Sequence, residues 1–288
     1  MHHQGEGDPL PHHYPQPVSR PFPRVSPTVD ACALYPQSRR VLPSAAVLRR
    51  TRHQPLPGYF RSVSDERLRS RAKADSGARA GNGCIGDVRK SNGVRVLIHP
   101  DQYVVISSLS DKVVANSIRI LEHHARVFDL LGLPRSPWAP IILHGGKRGR
   151  HDALKRIIRE LPEPVLARLV LENDEHAYGA QEVLDICRAT GIPMVLDIHH
   201  HLVKEKLIDY EHPGIATLLE SARGGTWPEA EWQIIHISNG EKSLHDTRHS
   251  EVIDIMPSAA FKAEWIEVEA KGKEMAIERL RSRYPGLH

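Results

Sequence analysis

The chain has 288 residues, which suits one large domain or one domain with an extension, and its 40% hydrophobic fraction can fill a core. Cys32, Cys84 and Cys187 are widely scattered and form neither a CxxC pair nor a disulfide framework, so a reducing, intracellular setting (cytoplasm, nucleoid or nucleus) is expected. No run approaches the roughly 18 apolar residues of a membrane span, and the N-terminus has no apolar h-region, so neither a membrane protein nor a secreted one is indicated.

The net charge of +4 conceals an asymmetry. Residues 1–93 hold 15 Lys and Arg against 7 Asp and Glu, whereas residues 94–288 hold 24 against 28. A basic arm can hold nucleic acid, but it is also the composition of a solvated, disordered segment. Residues 1–60 carry 11 of the 22 prolines and show no period of 2 or 3.6, which predicts disorder. His2, His3, His12 and His13 in that tail are expected to be idle. Residues 61–93 are rich in Arg, Ser, Ala and Gly, with one short helix expected near Asp65–Ala74. The boundary between a disordered Pro/Arg/His-rich segment, 1–93, and a folded domain, 94–288, is placed at Gly93.

From Val94 the texture changes. Arg95 to Ile98 reads as a strand that ends in His99. Ser110 and Asp111 cap a helix whose apolar residues, from Val113 to Leu131, recur at 3- and 4-residue spacing until Gly132 stops it. Pro140 to Leu143 is a strand ending in His144, and a helix follows from Asp152 to Leu161. Arg168 to Leu171 is a strand ending in Glu172, and the next helix runs from Gly179 to Ala189, stopped by Gly191. Met194 to Leu196 is an apolar run that ends in Asp197 and then His199, His200 and His201. A helical stretch over His212–Arg223 precedes the strand Trp232–Ile235 and His236. After a loop with His245 and His249 comes the strand Trp265–Val268, then Glu269, then a final helix over Lys273–Arg283.

Six strand-like runs thus each end in His, Asp or Glu, at spacings of 45, 28, 25, 39 and 33 residues. Alternating strands and helices imply a parallel sheet. If the sheet closes as a TIM (β/α)8 barrel, the C-terminal strand ends share one face, where barrel active sites lie. A lone histidine at a strand end is an ordinary structural residue; six consecutive acidic or imidazole ends are not, because buried acids cost several kcal/mol unless paired or coordinated. The pattern predicts a multinuclear metal site. Imidazole and carboxylate without thiolate suit Mn²⁺, Zn²⁺ or Fe²⁺. Two or three ions on shared carboxylates suit phosphoryl transfer, since such ions activate water and stabilise a leaving oxygen. Cys187, in a helix, is expected in the core. No nucleotide-cradling or serine-hydrolase motif is present. Gln102 and Tyr103, just after His99, form either an ordinary loop or a polar–aromatic wedge for a base stack.

Taken together, these residues resemble the UV damage endonucleases. The resemblance covers about residues 94–280 and rests on His99-Pro-x-Gln-Tyr103, His144-Gly-Gly146, Leu171-Glu-Asn-Asp174, Gly191-Ile-Pro193 with Asp197-x-His-His200, His236-x-Ser238, His249-Ser250 and Glu269-Ala-Lys271. It implies a TIM-barrel, Mn²⁺-dependent DNA repair enzyme that cuts UV-damaged double-stranded DNA on the 5′ side of photoproducts, with two or three ions. The implied metal ligands are His99, His144, Glu172, Asp197, His200, His236, His249 and Glu269. Glu172, Asp197 and Glu269 are implied as catalytic, with Glu172 bridging ions. Gln102 and Tyr103 are implied in lesion recognition, and Lys147, Arg148 and Arg150 are candidate phosphate contacts. Within the triple histidine, Asp197 and His200 are the expected ligands, while His199 and His201 orient neighbours or face outward.

Two departures stand out. The family has a lysine two residues before the His236-type ligand, where this chain has Ile234. The first two barrel strands are not recognisable, so a barrel with those strands missing or atypical is expected. Other readings of the same constellation are an abasic-site endonuclease, a sugar isomerase on the same barrel, or a truncated, inactive remnant.

Overall fold

The computed structural model describes Ala46–Arg49, as a strand without side chains, and residues 95–287. The elements in chain order are strand β1 (Ala46–Arg49), helix α1 (Asp111–Leu130), β2 (Ile141–His144), α2 (His151–Glu160), the short α3 (Glu163–Leu166), β3 (Leu169–Glu172), α4 (Ala180–Thr190), β4 (Met194–Asp197), α5 (Ile198–Glu205), α6 (Pro213–Thr226), β5 (Ile234–Ile237), β6 (Trp265–Val268) and α7 (Glu274–Arg283). Single 3₁₀ turns at Ala230–Trp232 and Ser258–Lys262 precede β5 and β6.

The sheet order is β1-β6-β5-β4-β3-β2. Strands β2 to β6 are all parallel, and each lies beside its neighbour in sequence. A doubly wound sheet reverses its order at a switch point; this one does not, which is the winding of a TIM barrel with helices outside. Beyond β2, Ile98 makes one parallel bridge to Ile141. The run expected as a strand over Arg95–Ile98 is therefore an extended segment with a single bridge. At the opposite edge β1 pairs antiparallel with β6, Ala46 facing Val268 and Arg49 facing Trp265. That pairing corrects the expectation of disorder at Ala46–Arg49 and gives the barrel an atypical strand there. The rest of segment 1–93, including the helix expected near Asp65–Ala74, the histidines of the tail, Cys32 and Cys84, lies outside the described residues. Among the described residues no helix is long and apolar enough to cross a membrane.

Period-2 alternation sorts the strands into two faces. Ile141, Leu143, Leu169, Leu171, Met194, Leu196, Ile235, Ile237, Ile266 and Val268 pack outward, in one core with the apolar stripes of α1, α2, α4 and α6. Cys187 of α4 belongs to this core, as expected, and burial pushes its thiol pKa up. The alternate residues Ile142, Val170, Val195, Ile234 and Trp265 form a second, inner cluster with Trp227. Each fully buried side chain of this kind contributes about 1.5–3 kcal/mol.

The inner cluster is closed at the N-terminal ends of the strands by Arg95. Its guanidinium lies 4.7 Å from the Trp138 ring centre and 5.2 Å from that of Trp265. It donates to the carbonyls of Trp138, Trp232 and Pro137 at 2.7–2.9 Å. Above the cluster, at the C-terminal ends, the inward side chains change from apolar to acid and imidazole.

The helix ends follow their residues. Gly132 and Gly191 hold φ of +64° and +78° just after α1 and α4, the left-handed turn that glycine makes without a Cβ clash. Asp197 is the N-cap of α5, its carboxylate accepting from the His200 N–H at 2.6 Å. The three histidines that follow Asp197 thus lie in the first turn of a helix.

Candidate metal centre

Each strand end brings one side chain to the same place. His144 and Glu172 are the last residues of β2 and β3 and sit in register with one another. Asp197 ends β4 opposite His236 of β5. His99 follows the Ile98 bridge, and Glu269 follows β6, its N–H held by the Ile237 carbonyl at 2.9 Å. His200 comes from the first turn of α5. His249 comes from the long loop after β5, which folds back so that His249 bridges antiparallel to Gly240.

The chain after His144 needs two glycines. A Cβ on Gly145 would fall 2.4 Å from the Tyr178 ring, and one on Gly146 would fall 2.7 Å from Ser107 Oγ. Gly146 also holds φ of +83°. This turn lets the backbone leave β2 beside the site without a side chain in the way.

Glu172, fully buried, is the centre of the arrangement. Its Oε2 stands 2.7 Å from His99 Nε2 and 3.7 Å from His144 Nε2. Its Oε1 stands 3.0 Å from His236 Nδ1 and 3.7 Å from His200 Nδ1. His236 Nδ1 is also 3.2 Å from Glu269 Oε1, and Glu269 Oε2 is 3.7 Å from His249 Nδ1. Asp197 Oδ2 lies 3.7 Å from His200 Nδ1. All eight residues expected to face the site are therefore linked in one cluster.

Three groups within it have donor atoms within 4.8 Å of one another: His99, Glu172, His236 and Glu269; His200, His249 and Glu269; and Glu172, Asp197 and His200. Glu172, Glu269 and His200 each belong to two of them, so the groups are contiguous. The fit to divalent ions rests on the donors themselves. They are nitrogen and oxygen without sulfur, and the buried atoms His144 Nδ1 and Asp197 Oδ2 have no hydrogen-bond partner among the described residues.

The charges reinforce one another. Burial alone would raise the Glu172 carboxyl, but His236 and His144 hold it well below its ordinary range. Burial also opposes the charge on Glu269, yet His236 keeps its pKa at about 2. Burial would lower the pKa of His99, but the hydrogen bond to Glu172 carries it to about 9. His200 reaches about 9 against the same penalty through Asp197, Glu172 and Glu175. Without ions, the site holds anionic carboxylates balanced by cationic imidazoles; cations can replace those protons.

The flanking histidines do not face outward. His199 is fully buried, its ring nitrogens 2.7 Å from the Tyr210 hydroxyl and 2.9 Å from the Asp246 carbonyl. It fastens the loop that carries His249. His201 is buried too, which corrects the outward reading. Gln102 and Tyr103 stand exposed in a turn just beyond His99, Tyr103 at 73%. Lys147 and Arg148 are exposed after the glycine turn; Arg148 donates to the His176 carbonyl, and Arg150 is half-buried. Ile234, at the position of the family's lysine, belongs to the inner apolar cluster.

Three residues at the site escape the strand-end pattern. Asn173 clamps Asp197, donating to its carbonyl and accepting from its N–H, both at 2.9 Å. Glu175 stands 3.5 Å from His200 Nε2. Glu267, fully buried within β6, lies with Oε2 2.8 Å from His236 Nε2, although the pair is not aligned as a hydrogen bond. The alternation Trp265, Glu267, Glu269 marks Glu267 as inward-facing and is the signal that could have found it.

The model of the UV-endonuclease UvdE family matches residues 80–287. The chain is 51% identical over 200 residues to a UV DNA damage endonuclease of Nostoc sp., covering 69% of this chain and 62% of that relative. It is 51% identical over 193 residues to a UV DNA damage endonuclease of Deinococcus radiodurans, covering 67% and 63%. The match thus spans less than two thirds of the length of these curated relatives. Among solved structures it resembles the crystal structure of SacUVDE, with a TM-score of 0.58 and 28% identity over 70% of each chain.

Proposed function

The chain belongs to the UV-endonuclease UvdE family, and from that premise we propose that it is a metal-dependent DNA repair endonuclease. Its substrate is UV-damaged double-stranded DNA, cut in the phosphodiester backbone on the 5′ side of the photoproduct. The observation that carries this reading is the position of Glu172, with imidazoles against both carboxylate oxygens and membership in two of the three donor groups.

His99, Glu172, His236 and Glu269 would hold one ion, with His144 beside Glu172; His200, His249 and Glu269 another; and Glu172, Asp197 and His200 a third. Mn²⁺ is the proposed ion, Zn²⁺ the competitor for the same donors. When bound, such ions lower the pKa of water and offset charge on the oxygens of a phosphodiester. The chain's own residues do the rest. Glu172 and Glu269, held well below the ordinary carboxylate range by the imidazoles beside them, stay ionised at neutral pH and can hold cations. Exposed Tyr103 and Gln102 stand where a duplex laid over the strand ends would meet them, and take the place of bases lost from the stack. Lys147, Arg148 and Arg150 hold phosphates beside the His144 turn. Acting on cellular DNA, the protein would work inside the cell.

The test is a nicking assay with the full chain and Mn²⁺ on UV-irradiated, abasic and intact duplex. Incision of the irradiated duplex alone, 5′ to the lesion, is the expected result. Cleavage confined to abasic DNA would replace this reading with an abasic-site endonuclease. Bound metal with no cleavage of any duplex would replace it with an inactive metal-binding relative.

A further inference from the structure

His236 uses both ring nitrogens. Nδ1 faces Glu172 Oε1 at 3.0 Å and Glu269 Oε1 at 3.2 Å, inside the cage. Nε2 faces the other way, 2.8 Å from Glu267 Oε2. A neutral imidazole carries one N–H and one lone pair. If Nδ1 is to offer its lone pair, the proton must sit on Nε2, and a buried N–H without an acceptor costs about 1–3 kcal/mol. His236 and Glu267 are both fully buried, so water does not supply that acceptor.

Glu267 is as unusual from its own side. Neither carboxylate oxygen has a hydrogen-bond partner among the described residues. Its sheet neighbour in register is His236 itself. The residues two before each of them, Ile234 and Trp265, are apolar members of the inner cluster. A stability-driven interior would continue that apolar layer, because a buried carboxylate is expensive unless it meets a charge or a donor. Among the described residues, the one imidazole paired with Glu267 is that of His236, whose far nitrogen enters the cage. Ile234 leaves no competing polar group at the next inward position on β5.

We propose that Glu267 is a positioning residue for the metal centre: standing 2.8 Å from Nε2, its carboxylate turns to accept the Nε2–H of His236 when an ion is held, so that Nδ1 is the nitrogen presented to the ion. The inference rests on the metal-centre reading above and adds to it a role for a carboxylate outside the donor groups. Without Glu267, the other tautomer would be favoured by the Glu172 and Glu269 oxygens, and His236 would become a donor to its fellow ligands instead of a ligand. Outer carboxylates of this kind change metal affinity by about 10–100-fold.

The experiment uses the full chain, without DNA, and two readouts. Titration calorimetry with Mn²⁺ compares wild type, E267Q and E267L, each checked for cooperative unfolding. Affinity should fall by about 10–100-fold in E267L and by less in E267Q, whose amide oxygen still accepts a hydrogen bond. Histidine-labelled ¹H–¹⁵N spectra of the Zn²⁺-loaded protein supply the second readout, with the His236 signals identified by their loss in H236Q. The Nε2 proton of His236 should be shifted downfield in wild type and move upfield in E267Q. Wild-type affinity in E267L overturns the proposal. If E267L does not fold, an unmoved Nε2–H signal in E267Q overturns it. A wild-type chain that takes up no Mn²⁺ overturns the metal centre itself, an outcome distinct from equal binding by wild type and variant.

Discussion

The imidazole of His99 and the carboxylate of Glu172 stand 2.7 Å apart although 73 residues of chain separate them. Neither is on a loop that wandered into place. Each lies at the C-terminal end of an extended run, with one strand, β2, between them in the sheet. Glu172 also meets His236 across β4, so three runs converge on one carboxylate. Replacing it should therefore disrupt more than one donor group. Glu172→Gln is expected to lower Mn²⁺ affinity and incision by more than about 100-fold, the upper range for outer-sphere changes alone. Metal titration and the nicking assay check this; a variant that nicks like wild type would mean the centre lies elsewhere.

The same pairings set a pH dependence with two opposite signs. In the metal-free protein His99 and His200 have pKa values of about 9, above the 6.5 of an unfolded histidine. Their contribution to stability is full below pH 6.5 and is lost as pH rises through about 9. Mn²⁺ must displace those protons, so its affinity should rise across the same window. Denaturant unfolding in chelator and calorimetric titration, each from pH 6 to 9.5, should give curves that cross. A metal affinity independent of pH, with no proton release, would contradict the assignment of these two imidazoles as ligands.

Tyr103 offers a sharp separation of recognition from folding. Its ring is 73% exposed, and its backbone N–H is tied to Asp101 Oδ1 at 3.2 Å, a turn that does not depend on the ring. Tyr103→Ala should leave stability within about 0.5 kcal/mol and Mn²⁺ affinity unchanged. Incision at photoproducts should drop by about 5–150-fold, the worth of one base–aromatic stack at roughly 1–3 kcal/mol. Gln102→Ala should behave alike but more weakly. A loss of metal binding instead would place Tyr103 in the cage rather than over it.

The cluster was readable in the sequence where polar residues interrupt apolar runs at their ends. His144, Glu172, Asp197 and Glu269 are such breaks. His200 and His249 are not at strand ends, and only the family resemblance points to them. Glu267 was hidden because it lies inside a strand, where an acid between Ile266 and Val268 looks like a solvent-facing position on an open sheet. The barrel winding turns that face inward, and composition does not report the winding. The β1 pairing was hidden for another reason. Its partner, β6, lies more than 200 residues away, and the flanking proline-rich sequence has no period to announce it. The double duty of Asp197 was also not announced, since the residue that ends β4 starts α5 as well and draws three histidines into a helix.

His199 now has a definite task. It joins Tyr210 to the Asp246 carbonyl, and Asp246 lies three residues before His249. His199→Leu removes both links and should free the loop after β5. The donor group of His200, His249 and Glu269 then loses its third arm. Metal analysis should show a lower Mn²⁺ content, with the tighter group around Glu172 still occupied. Tyr210→Phe, which breaks one link, should cost less. Full metal content in His199→Leu would show that the loop is held by its own hairpin contacts, Glu241 N–H to the Arg248 carbonyl and Ser250 N–H to the Asn239 carbonyl.

Arg95 provides the reciprocal case, a charged residue in the barrel that should matter only for stability. It lies four residues before His99 in the same extended run, roughly 13 Å away at strand rise. Burial lowers its pKa to about 9. The guanidinium is satisfied by the carbonyls of Pro137, Trp138 and Trp232 and covered by tryptophan rings. Arg95→Met keeps the length of the side chain and removes every donor. Leaving buried carbonyls unpaired costs about 1–3 kcal/mol each, while relief of a desolvated charge offsets part of that. The expected net loss is about 3 kcal/mol, read as a lower denaturation midpoint at unchanged slope. Mn²⁺ affinity and incision at 20 °C should stay at wild-type values, because none of the donor groups touches Arg95. If Arg95→Met lost metal while keeping its stability, the two ends of the barrel interior would be coupled through the Trp265, Glu267, Glu269 face of β6, and Glu267 would be the first residue to examine.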